Sequence, residues 1–282
     1  YSAHTNLDTC ECGVNQKLAE VLGLQNIRNL NTYREDKVCK LSVFVPFSHV
    51  DVVREAITSE GGGWIGNYSD CTFMTPGIGT FRPLEGTNPF IGSRGKLEKV
   101  DEYRLETVVP ECKLKKVVDA MLKAHPYEEP AYDLIPLYNT GAKRGYGVIG
   151  YLPEQMRLAD FIPQLASVLK TLAPLELDEE PALRFSGDPD RLIHKVAIVN
   201  GSGGSFVSKA DFKGADLLIT GDVSHHEVLD ALEAGMSILD MGHFWGEVPM
   251  VRTLADYFKG DKALAGVEVL VSQKLKSPWR SL

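Results

Sequence analysis

DLLITGDVSHHEVLDALEAGMSILDMGHFWGEVPM (216–250) is the stretch that decides the fold. Its first apolar run, Leu217-Leu218-Ile219, ends on Gly221-Asp222. A polar Ser224-His225-His226-Glu227 then leads into apolar residues at helical spacing. A second apolar run, MSILDMG (236–242), hands over to PMVRTLADYFKG (249–260), which carries Pro249 at a first helical turn. Strands that are apolar on both faces and alternate with helices indicate a buried, mostly parallel sheet. In such sheets ligands bind at the carboxyl ends of the strands. GDVSHHE (221–227) and GHFWGEVP (242–249) both fall there.

The pattern extends outward on both sides. IHKVAIV (193–199) reads as another apolar strand, followed by the turn NGSGGS and a helix over 206–213. VEVLVSQ (267–273) reads as a fourth strand. The C-terminal half is therefore α/β.

Residues 40–137 follow a different plan, an internal repeat. VPFSHVDVVREAI (45–57) and VPECKLKKVVDAM (109–121) match at a constant offset of 64. Each copy predicts a strand ending at proline (Pro46, Pro110) and then a helix, with Ser48 as N-cap of the first. Strands are expected after the GGGWIGNYSD turn, at Tyr103–Val109 and at Ala131–Leu137, with a turn at Asn139-Thr140-Gly141. The order strand–helix–strand, strand–helix–strand is that of a ferredoxin-like unit. The Gly/Pro-rich stretch 76–96 is too long for a mere connection and reads as a loop or β-arm that makes contacts.

Composition narrows the function classes. The 282 residues carry 30 Lys and Arg against 38 Asp and Glu, a net charge of −8, with no basic run. Nucleic acid and anionic membranes are therefore poor partners, and no apolar run approaches transmembrane length. Five scattered cysteines argue for a reducing, cytoplasmic setting rather than a disulfide framework. The chain opens YSAHTNLD (1–8), without Met, and so reads as starting within a domain.

Histidine–carboxylate spacing supplies the candidate chemistry. With 38 acidic residues in 282 positions and seven His, chance gives about one His with an acid at i+4. There are four: His4/Asp8, His125/Glu129, His226/Asp230 and His243/Glu247. Imidazole with carboxylate suits Zn²⁺, Mn²⁺ or Fe²⁺, and a shared carboxylate can bridge two ions. His4/Asp8 and His243/Glu247 are the strongest candidates. AHPYEEP (124–130) is explained by a histidinium near a helix C-terminus. In GDVSHHE an acidic helix cap competes with a site, and His226 is the preferred site residue. GSGGS (201–205) lacks the third glycine of a dinucleotide loop and the Lys-Ser/Thr of a P-loop, so it reads as a tight strand-to-helix turn.

Taken together, YSAHTNLDTCECGVNQKLAEVLGL, TGDVSHHE and DMGHFWGEVP resemble the NIF-three-like dinuclear metal-centre family, the type-two GTP cyclohydrolase homologues. KLSVFVPFSHVDVVREAI, GTFRPLEGTNPFIG and AHPYEEPAYDL resemble the PII/CutA-like domain inserted in its long bacterial members. The resemblance implies an α/β metal-binding domain in two pieces (1–38 and 139–282) around a ferredoxin-like insert (39–138). It implies a homohexamer holding two divalent ions (Zn, Mn or Fe) per subunit. Asp8, His243 and Glu247 match ligand positions, with Glu247 as the natural bridge. His4 matches a histidine near the metals, His226 one on the cavity side, and either is a candidate proton shuttle. Further ligands come in the family from a tandem His-His motif upstream of HTNLD, a segment this chain does not contain. The complete dinuclear centre is thus implied for the full-length protein. The expected activity is metal-dependent hydrolysis of a nucleotide or phosphoester. The competing expectation is a non-enzymatic hexamer that binds a small regulatory molecule.

Overall fold

A computed structural model describes residues 3–10, 12–173 and 180–279. Tyr1 and Ser2 of the YSAHTNLD motif lie outside them. In chain order the elements are α1 (Thr5–Asp8), α2 (Val14–Val21), β1 (Gln25–Pro46), α3 (Val50–Ser59), β2 (Thr72–Phe81) and β3 (Glu98–Pro110). Then come α4 (Leu114–Ala124), β4 (Tyr132–Arg157), α5 (Leu158–Leu172), β5 (Arg184–Ser186), β6 (Leu192–Ser202) and α6 (Val207–Phe212). The last are β7 (Leu217–Gly221), α7 (His225–Glu233), β8 (Ser237–Asp240), α8 (His243–Glu247) and α9 (Pro249–Gly260). The fold is mixed α/β. It divides into two compact units, residues 1–34 with 144–282, and residues 35–143.

In the first unit β6, β7 and β8 are parallel, with Val196 opposite Leu217 and Leu217 opposite Ser237. β4 joins β6 antiparallel, Val148 opposite Ile198. Alternation along these strands builds two cores. Ile198, Leu217, Ile219 and Leu239 pack with Leu18 of α2 and with Phe161, Leu165 and Leu169 of α5. Ala197, Val199, Leu218 and Ile238 pack with Val207 and Ala210 of α6 and Ala231 of α7. Each fully buried Leu or Ile contributes about 1.5–3 kcal/mol relative to exposure.

The expected fourth strand at 267–273 is not formed. The position beside β8 is taken by β5, antiparallel, with Arg184 opposite Asp240. Residues 267–273 hold no regular structure, and Val267 and Leu270 are exposed. An apolar run of strand length becomes a strand only where a sheet edge is open to it.

In the second unit β2, β3 and β1 form an antiparallel sheet, with Leu105 opposite Val43 and Met74. The two repeat copies place β1 and β3 side by side, so Ser42 faces Glu106 exactly one repeat length away in sequence, and its hydroxyl donates to that carboxylate at 3.0 Å. Val50, Val53 and Ile57 of α3, with Val117 and Met121 of α4, cover one face of the sheet. Two local expectations are overturned. Ser48 does not cap α3: it sits in a 3₁₀ turn, Phe47–His49, and its hydroxyl bonds the His49 ring instead. Asn139-Thr140-Gly141 is not a turn but continuous strand within β4. Sheet pairing outweighs the turn preference of those three residues.

Candidate metal centre

The parallel strands β6, β7 and β8 bring their carboxyl ends together, and the backbone there is packed too tightly for side chains. A Cβ on Gly221 would lie 2.9 Å from the Gly201 carbonyl oxygen and 2.9 Å from the His243 amide nitrogen. Gly201 itself has φ +70°, and its Cβ would stand 3.4 Å from Glu247 Oε1. In the NGSGGS turn Gly201 is required by its positive φ, while a Cβ on Gly203 would collide with Thr220 and one on Gly204 with Glu227 of α7.

α8 puts His243 and Glu247 on one face, with Nε2 and Oε1 3.0 Å apart. The other ring nitrogen, Nδ1, is 2.6 Å from Asp222 Oδ2 at the end of β7. Asp222 holds φ +50°, a left-handed conformation unusual outside glycine. The Asp222 hydrogen bond, reinforced by the charge of Glu247, holds His243 above the usual imidazole range despite its partial burial. If Nδ1–H donates to Asp222, the Nε2 lone pair faces a carboxylate oxygen. That arrangement needs a cation between them, a proton or a metal ion.

Asp8 reaches the same place from the other end of the sequence. Asn15 of α2 is buried and works in two directions. It donates through Nδ2 to the Asp8 carbonyl at 3.2 Å and accepts through Oδ1 from the Asn200 amide at 2.8 Å. Burial, and then the neighbouring Glu247, push the Asp8 carboxyl above its ordinary range, while His4 and His243 pull the other way. Asp8, His4, Asn200, His243 and Glu247 border one cavity of about 250 Å³. The Asn200 side-chain amide is buried on that border, and neither of its polar atoms has a hydrogen-bond partner.

These residues suit a divalent ion as a partial donor set. Two donors each about 2.1 Å from one ion stand about 3 Å apart when they subtend a right angle at it. The 3.0 Å between Nε2 and Oε1 matches this. Asp222 behind the imidazole is the carboxylate–histidine arrangement that orients a metal ligand. Among the described residues, however, no three His, Cys, Asp or Glu side chains converge closely enough to enclose an ion unaided.

His226 stands apart from this cavity. It is exposed in the first turn of α7, its ring 5.8 Å from that of His225. Within GDVSHHE, Ser224 and Glu227 form a capping box for α7, and the residue that contacts the cavity's His243, from outside the cavity, is Asp222. Spacing gave no signal for Asp222, because its partner lies on another strand end. Asn15 and Asn200 gave none either, being uncharged residues in unremarkable surroundings. His125 is also not the histidinium expected at a helix terminus. It is buried, its Nε2 is 3.0 Å from the Phe44 carbonyl, and its Nδ1 accepts from the Tyr127 amide. Only the neutral ring satisfies both, and burial holds its pKa below the usual range.

The family model described as Duf34/NIF3 (NGG1p interacting factor 3) matches residues 1–278. A GTP cyclohydrolase 1 type 2 homolog from Halalkalibacterium halodurans is 49% identical over 243 residues, 86% of this chain and 63% of that protein. The homolog of the same name from Bacillus subtilis is 40% identical over 285 residues, 100% of this chain and 74% of that protein. The crystal structure of a Bacillus cereus protein related to NIF3 matches with a TM-score of 0.86 at 39% identity, covering 100% of this chain and 73% of that one. The chain thus matches less than two thirds of the length of the first of these relatives, 63%. On a family match that runs through both units, the chain belongs to the Duf34/NIF3 family.

Proposed function

We propose that this chain carries the principal donors of a divalent-metal-dependent hydrolase acting on a nucleotide or phosphoester. The observation that carries the reading is His243, held on Nδ1 by Asp222 while Nε2 faces Glu247 in the cavity that Asp8 borders. Zn²⁺, Mn²⁺ or Fe²⁺ would be held by Asp8, His243 and Glu247, with Glu247 shared between two ions in the full-length protein. Bound there, the metal supplies an acidified water and polarisation of the bond to be cut.

The remaining work falls to the chain's own groups. Asp222 fixes the His243 ring and its tautomer. Asp8 and Glu247 give the cavity negative charge that a cation neutralises. The Asn200 amide offers a donor and an acceptor to a polar substrate atom. His4, exposed at the margin of the cavity, would pass a proton to solvent. Nucleotide substrates are suggested by the names of the relatives, each a GTP cyclohydrolase 1 type 2 homolog.

The finer reading of the architecture belongs with this proposal. The helix–strand order of residues 35–143 and the antiparallel order β2-β3-β1 support a ferredoxin-like, PII-like insert. Exposed Met74 and Ile78, on one face of β2, support a homo-oligomer, a hexamer by family resemblance. Among the described residues no helix is long and apolar enough to cross a membrane.

The test is Glu247→Ala in the full-length protein. Loss of bound metal by elemental analysis, together with loss of turnover in a nucleotide and phosphoester screen, supports the hydrolase. A stoichiometrically metal-loaded wild-type protein that turns over nothing in that screen sinks it and favours the binding-protein reading.

A further inference from the structure

The second unit contains a separate cavity of about 340 Å³, close to the lower end of the size range for small-molecule sites. It lies where the end of β2 and the loop after it face the turn at 127–131. Its shape is built in rather than accidental. Glu128 accepts the Asn88 amide at 3.2 Å, Arg82 donates to the Gly95 carbonyl at 2.9 Å, and Arg94 Nε to the Thr87 carbonyl at 2.9 Å. These bonds hold the loop over the cavity.

Its walls are aromatic and its floor is acidic. The Tyr127 ring stands 5.7 Å from Phe81 and 6.4 Å from Phe90, and all three border the space. Glu102 lines it too, although only 7% exposed. Its Oε1 accepts from the Tyr127 hydroxyl at 2.9 Å. Gly79 makes room for the carboxylate, since a Cβ there would stand 2.0 Å from Oε2. Burial and the Glu102 contact push the Tyr127 phenol well above its ordinary range, so it remains a neutral donor. A largely buried carboxylate supported by a neutral phenol gains from a positive partner. Ring faces around it favour a cation that is also flat. Glu129 adds a further acidic group to the lining, and the one arginine there, Arg82, is tied to a backbone carbonyl.

We propose that this cavity binds a small flat organic cation, an amidine- or amine-bearing aromatic ring, with the ring among Phe81, Phe90 and Tyr127 and the positive end on Glu102. The site lies wholly within residues 35–143 and does not depend on the metal-centre reading. The test uses benzamidine as probe, with the isosteric neutral benzamide and the anion benzoate as comparisons, titrated into the 282-residue chain and followed by NMR of its aromatic side chains. Benzamidine is expected to bind at least ten-fold more tightly than benzamide, with benzoate undetected and the Tyr127 and Phe90 signals shifting. Glu102→Gln is expected to abolish the preference for benzamidine over benzamide. Phe90→Ala, at a half-exposed loop position, is expected to weaken benzamidine at least five-fold without changing the melting temperature. Equal affinity for benzamidine and benzamide overturns the proposal, as does no benzamidine binding. Should Glu102→Gln fail to fold, unchanged benzamidine affinity in Phe90→Ala overturns it as well.

Discussion

At the scale of single residues, the proposed site depends on groups that stand behind the cavity rather than border it. Asp222 matters through His243, 2.6 Å away. Asp222→Asn is expected to lower metal affinity about 10–100-fold while leaving far-UV circular dichroism unchanged; a metal titration monitored by competition with a chelator measures it. Gly201→Ala puts a side chain at φ +70° beside Glu247. A loss of about 1–2 kcal/mol is expected in urea unfolding, the cost of a left-handed conformation for an L-residue. His125 gives a pH signature. Its folded pKa lies below the unfolded value because the buried ring is bonded as the neutral form. Its contribution is therefore fully present above the unfolded value of about 6.5, and is lost as pH falls through the lower folded value. Stability measured from pH 7.5 downwards should show this loss in the wild type and a smaller one in His125→Gln. His243/Glu247 was legible in the sequence because an i,i+4 pair on a helix is local. Asp222 and Asn200 were not, since only the order of strands brings them to α8.

Whole elements were more legible than their ends. The repeat at offset 64 located α3, α4 and the prolines that close β1 and β3, because apolar periodicity and proline act locally. The strand expected at 267–273 and the turn at 139–141 failed, since both depend on which sheet edges are available rather than on the segment itself. Two substitutions measure what the elements contribute. Ser224→Ala removes half of the α7 capping box, and a loss of about 1 kcal/mol is expected. Met121→Ala empties a fully buried position between α4 and the sheet of the second unit, with about 2–5 kcal/mol expected. Chemical denaturation of each variant checks both values, and a Met121→Ala loss below that of Ser224→Ala would contradict the packing described for the second unit.

For the molecule as a whole, metal and stability are linked if Asp8, His243 and Glu247 hold an ion. At a free concentration a hundred-fold above its Kd, the ion should stabilise the fold by about 2.7 kcal/mol. Calorimetry of the full-length protein with and without Zn²⁺ or Mn²⁺ should show a rise in melting temperature that Glu247→Ala abolishes. Asn15 has a consequence of another kind. It ties the carbonyl of Asp8 to the amide of Asn200, residues that leave the ribosome far apart in time. Residues 35–143 are contiguous and can fold while synthesis continues, but Asp8 meets Asn200, His243 and Glu247 only after β6 and α8 have been translated. The border of this cavity is therefore assembled only after the whole of the second unit has emerged, whatever the cavity goes on to bind.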